Sequence, residues 1–154
     1  MKGTLKDYIY RPEYECLSRS EMENLQSERL RKTVELVYNN CKPYRAKMDE
    51  FKIKPSDIRS VSDLCKLPFT VKPDLRAAYP FGFYSAPARD IVEVHASSGT
   101  TGKLTVVGYT QNDIDVWAEI AARSLAMAGV TKDSLVHVAY GYGLFTGGLG
   151  AHYG

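Results

Sequence analysis

Val94-His95-Ala96-Ser97-Ser98-Gly99-Thr100-Thr101-Gly102-Lys103 is the stretch on which the reading of this chain turns. Before it, Ile91 to His95 is short and rich in β-branched residues. After it, Leu104 to Tyr109 has the same character around Thr105, Val106 and Val107. The pattern predicts two strands joined by a polar loop. Gly99 and Gly102 allow positive φ angles, so several backbone N–H groups can converge on an anion. Ser97, Ser98, Thr100 and Thr101 add hydroxyl donors, and Lys103 adds a mobile positive charge. Polyphosphate is the ligand this chemistry suits best.

The loop is not the P-loop of kinases and common NTPases. That pattern, G-x-x-x-x-G-K-[ST], needs Gly at position 97 and a metal-binding hydroxyl at 104, where this chain has Ser97 and Leu104. A strand follows the loop in place of a helix, so no helix dipole points at the phosphate.

Outward from the loop, the chain divides near residue 80. Residues 1–80 read as a helical leader. Ser20 and Glu23 have capping-box spacing, and Leu30, Val34, Val37, Tyr38 and Cys41 recur at helical intervals. Pro43 suits the first turn of a second helix, with Tyr44, Met48 and Phe51 on one face. Residues 81–154 read as α/β. Thr110 with Asp113 is a helix cap, Ile114, Trp117, Ala118, Ala121, Leu125 and Ala128 follow at helical spacing, and Gly129 is a stop. Leu135 to Ala139 reads as a third, buried strand. The predicted fold class is α/β, a helical leader followed by a mixed β-sheet with flanking helices.

Tyr140-Gly141-Tyr142-Gly143-Leu144-Phe145-Thr146-Gly147-Gly148 comes next. Glycines let backbone approach a flat ligand closely, and aromatic rings can stack on it or meet its edge. A Gly-aromatic-Gly run also occurs in RNA-recognition motifs, but these begin with Lys or Arg where this chain has Tyr140. His95 and His137 read as structural strand residues, and Trp117 as part of a helix core.

Composition narrows the field. The 154 residues are 44% hydrophobic and 25% charged, with a net charge of +2, which gives no case for nucleic acid or a membrane surface as partner. Cys16, Cys41 and Cys65 are odd in number and form no C-x-x-C pair, as expected of reduced thiols in the cytoplasm. No cluster of ligand spacing suggests a bound metal.

The loop with its flanks resembles the phosphate loop of the adenylate-forming superfamily, the acyl-CoA synthetases and their relatives. The resemblance extends to Lys66-Leu67-Pro68-Phe69-Thr70, Asp74-Leu75-Arg76, Tyr79-Pro80-Phe81-Gly82 and the aromatic glycine run. One position departs from it: the family usually has proline after the loop lysine, where Leu104 stands here, which loosens the loop without removing a phosphate donor.

The resemblance implies an incomplete amino-terminal domain of the adenylate-forming fold. It assigns Ser97, Ser98, Gly99, Thr100, Thr101, Gly102 and Lys103 to the phosphates of ATP. Tyr140, Gly141, Phe145, Gly147 and Gly148 fall to an aryl-acid pocket. The implied reaction converts phenylacetate or a close aryl acid to an acyl-adenylate and then to a thioester. ATP, Mg2+ and coenzyme A are the expected cofactors and co-substrates, and a cytoplasmic homodimer is the expected assembly. Adenosine-binding groups and the catalytic lysine are expected beyond Gly154, so no catalytic residue is assigned here and the 154-residue piece alone is expected to be inactive. Two alternatives stand beside this reading: an adenylating enzyme that loads a carrier protein, and a non-catalytic nucleotide-binding fragment.

Overall fold

A computed structural model describes residues 8–97 and 104–154. The leader comprises α1 (Pro12–Glu15), α2 (Arg19–Asn40), α3 (Lys42–Glu50) and α4 (Lys72–Ala77), with 3₁₀ turns at Pro55–Asp57 and Val61–Lys66. A third 3₁₀ turn, Ala88–Asp90, leads into β1 (Ile91–Ala96). β2 (Val106–Thr110), α5 (Gln111–Met127) and α6 (Gly147–Tyr153) complete the order.

The capping box of α2 lies two residues earlier than its sequence suggests. Ser18 Oγ accepts from the Glu21 N–H (3.3 Å), and Glu21 accepts from the Ser18 N–H (2.8 Å). Both Ser18/Glu21 and Ser20/Glu23 have the right spacing. The earlier pair lengthens the helix and leaves Glu23 to bridge Arg19 at 2.8 Å.

Val34 of α2, Met48 of α3 and Ile58 form the buried centre of the leader, with Leu30, Tyr38, Tyr44, Ile53 and Leu67 packed around them. Phe51 is not on that face. It caps α3 and stays exposed, because Lys52 adopts a left-handed φ of 58° and turns the chain back. The Ile53 N–H then donates to Met48 O (2.9 Å) and the Lys52 N–H to Asp49 O (3.0 Å). This is a Schellman closure that brings Ile53 onto Met48 in Phe51's place. Toward the other half, Arg11 of the leader bridges Glu119 of α5 at 2.8 Å, and the Arg11, Arg29 and Arg123 guanidinium groups lie 5.1–5.4 Å from the Tyr14 ring centre.

β1 and β2 pair antiparallel, with His95 opposite Val107 and Ala96 opposite Val106. A bulge between Ile91 and Glu93 sets the register. At the α5 start, Thr110 Oγ1 accepts from the Asp113 N–H (3.3 Å) and Asp113 accepts from the Thr110 N–H (2.8 Å). At its end Gly129 has φ 91°, and the Val130 N–H reaches Leu125 O (3.0 Å).

The strand expected at Leu135 to Ala139 does not form. Residues 134–139 have no regular structure, Leu135 is fully exposed and His137 is exposed with it. A buried strand needs a neighbouring ladder and a cover on both faces, and among the described residues neither reaches this segment. No helix among the described residues is long and apolar enough to cross a membrane.

Candidate functional site

Residues 97–105 connect β1 to β2. The base of this connection is closed by a reciprocal pair: the Ser97 N–H donates to Thr105 O (3.0 Å), and the Thr105 N–H donates to Ser97 Oγ (3.0 Å). Ser97 is therefore a clamp on the loop stem. Ser98, Gly99, Thr100, Thr101, Gly102 and Lys103 lie outside the described residues.

One residue before the clamp, the Ala96 N–H donates to the carbonyl of Leu144 (2.7 Å). That bond brings together the two stretches singled out from sequence, because Leu144 directly precedes Phe145. Tyr140 and Phe145 stack with ring centres 5.8 Å apart and planes inclined by 24°, each ring about half exposed.

The glycines of this run divide between two uses. A Cβ on Gly147 would meet the Tyr140 ring at 3.0 Å and the Phe145 ring at 3.2 Å, and one on Gly148 would meet Gly141 O at 2.9 Å. Both serve close packing of the start of α6 against the run. A Cβ on Gly141 would meet nothing within 4 Å, so this position alone of the three faces open space.

His95 is more deeply engaged than a strand-end residue. It is 1% exposed, its Nδ1 lies 2.9 Å from Leu144 O, and its Nε2 contacts the Glu93 carboxylate. Tyr153 Oη of α6 donates to the other Glu93 oxygen (2.5 Å). The His95 ring meets Tyr109 and Trp117 edge-on, at 5.5 and 5.6 Å.

Burial pushes the Glu93 carboxyl upward, but the bonds from Tyr153 and His95 outweigh it and leave its pKa below the ordinary value. The same bond to Glu93 raises the Tyr153 phenol, and burial raises Tyr109. Glu93 and His95 stand two apart on β1, and that spacing was the available signal that they share a face. Tyr153 and the Leu144 carbonyl left no signal in the sequence. Among the described residues, no group of three or more His, Cys, Asp or Glu is placed to hold a metal ion.

The fold of this chain recurs in solved CoA ligases. The chain superposes on 2-hydroxyisobutyryl-CoA ligase, crystallised with 2-HIB-AMP and CoA in the thioesterification state, with a TM-score of 0.87 and 28% identity. The match covers 99% of this chain and 33% of that one. An open conformation of the same ligase gives 0.85. The fold is thus part of the adenylate-forming CoA ligase fold.

Within that class, the sequence is related to phenylacetate-coenzyme A ligase. It is 56% identical to the Escherichia coli K12 enzyme over 140 residues, and 53% identical to the Thermus thermophilus enzyme over 146. These matches take in 91% and 95% of the chain but only 32% and 33% of the two relatives, so the chain spans about a third of their length. No family model matches it.

Proposed function

We propose that this chain supplies the ATP phosphate loop and part of the acid pocket of a ligase that makes phenylacetyl-CoA or a close aryl analogue. The observation that carries the reading is the Ala96–Leu144 hydrogen bond of 2.7 Å. It sets the stem of a loop suited to polyphosphate beside an aromatic pair suited to an aryl ring.

In the first half-reaction a carboxylate oxygen attacks the α-phosphorus of ATP. The bond to the bridging oxygen breaks, and pyrophosphate leaves with its electron pair. Residues 97–103 hold the β- and γ-phosphates in line and offset their charge with N–H, hydroxyl and Lys103 donors. Mg2+, if bound with the phosphates, would supply further charge neutralisation. Tyr140 and Phe145 hold the aryl ring, with Gly141 leaving room at its edge. In the second half-reaction the thiol of coenzyme A, giving up its proton, attacks the acyl carbon and AMP departs. The names of the relatives favour coenzyme A over a carrier protein as acceptor. A cytoplasmic homodimer is the assembly proposed for the whole enzyme.

The test is pyrophosphate exchange by the whole ligase with phenylacetate, benzoate and fatty acids. Exchange that depends on phenylacetate is the expected result, and preference for a fatty acid overturns the substrate assignment. Replacing Thr100 and Thr101 by Ala should raise the KM for ATP; unchanged kinetics would remove the loop from the mechanism. The 154-residue chain alone is expected to form no thioester.

A further inference from the structure

We infer that His95 is a positioning residue for the acid pocket, acting through the carbonyl of Leu144, with Glu93 and Tyr153 fixing its ring. The inference rests on the proposed ligase reading. His95 is fully enclosed, and among the described residues it is engaged by Leu144, Glu93, Tyr109 and Trp117. Its Nδ1 faces a carbonyl, which only accepts, so Nδ1 carries a hydrogen. Its Nε2 faces the Glu93 carboxylate, which holds the opposite edge of the ring. The Tyr153 hydroxyl holds the other Glu93 oxygen, and Tyr109 and Trp117 fix the ring plane. A ring held on four sides can aim one N–H with precision.

That N–H meets the same carbonyl as the Ala96 N–H. Leu144 O is thus held by two donors from the end of β1, immediately before Phe145. The loop stem has its own closure through Ser97 and Thr105. Loss of the His95 bond therefore leaves the aromatic wall held by the Ala96 N–H alone, and the loop base stays clamped. The expected signature is a change in the KM for the acid with little change in the KM for ATP.

The experiment uses a ligase completed with the remaining two thirds of the Escherichia coli relative, carrying His95→Asn, His95→Gln or His95→Leu. An Asn amide nitrogen falls near the position of Nδ1, and a Gln amide nitrogen near that of Nε2. His95→Asn should keep the KM for phenylacetate close to the unsubstituted value. His95→Gln and His95→Leu should raise it about tenfold, with the KM for ATP nearly constant, as expected for one lost hydrogen bond. Equal effects of Asn and Gln, or parallel rises in both KM values, would make His95 merely structural and overturn the inference. An unsubstituted ligase without phenylacetate-dependent exchange would instead overturn the function proposed above.

Independently of activity, 15N chemical shifts of His95 in the 154-residue chain should show a protonated Nδ1. An unprotonated Nδ1 overturns the inference whatever the kinetics.

Discussion

The indole of Trp117 fills the space that a side chain on Gly150 would need. A Cβ built at Gly150 comes within 2.6 Å of both Cζ2 and Nε1 of the ring. Four residues on, Gly154 meets Ala121 in the same way, with a distance of 2.7 Å to the alanine Cβ. Small residues spaced one helical turn apart let α6 lie directly on α5. Gly150→Ala must displace a ring that is also stacked on Tyr109, so it should cost about 1–3 kcal/mol in urea unfolding. Gly141→Ala, where nothing lies within 4 Å, should change stability by less than about 0.5 kcal/mol and serves as the control.

Lys52 carries a left-handed φ of 58° where a helix closure ordinarily uses glycine. Lys52→Gly removes the steric cost of that conformation but adds freedom to the unfolded chain. A net gain of about 0.5–1 kcal/mol is expected, read as a rise in Tm. Lys52→Val, branched at Cβ, should lower Tm. If both variants melt together, the Schellman turn is not what fixes Ile53 on Met48.

The Glu93–His95–Tyr153 chain gives stability a pH dependence at both ends. Glu93 is depressed below its ordinary 4.5 by Tyr153 and His95. Its contribution is complete above that value and is lost as pH falls through the lower, folded-state pKa. Tyr153 is raised above 10.0 by its bond to Glu93, so its contribution is complete below that value and is lost as pH rises through the raised one. Glu93→Gln should flatten the acid limb of a Tm-versus-pH profile, and Tyr153→Phe the alkaline limb. Parallel profiles for variant and unsubstituted chain would show that these bonds do not hold in solution.

Leu104 follows the loop lysine at a position where the resembling family usually has proline. Leu104→Pro restricts the unfolded loop and the residue before it. In the whole ligase it should lower the KM for ATP and leave kcat nearly unchanged. A higher KM would show that the leucine itself supports the loop.

Local signals carried much of the fold. Thr110 with Asp113 and the stop at Gly129 are short-range devices, and each forms where its residues stand. The choice between Ser18 and Ser20 was not local in that sense, since two boxes of equal spacing competed and the ion pair between Arg19 and Glu23 helped to decide. Leu135 to Ala139 has the composition of a strand, but a strand is a pairing, and its partner cannot be read from the segment itself. The role of His95 was hidden for a similar reason. Its partner Leu144 stands 49 positions further along the chain, and Tyr153, which holds Glu93, stands 60 positions beyond that residue, so only the fold brings them together.

The bond that Ser97 accepts from Thr105 has an electronic effect as well as a mechanical one. A hydroxyl oxygen that receives a hydrogen bond becomes more polarised, and its own proton more acidic toward the next acceptor. In the phosphate loop proposed above, Ser97 would thus act as a strengthened donor. An alanine there would remove the bond from the Thr105 N–H and leave the hairpin fastened by the Ser97 N–H to Thr105 O alone.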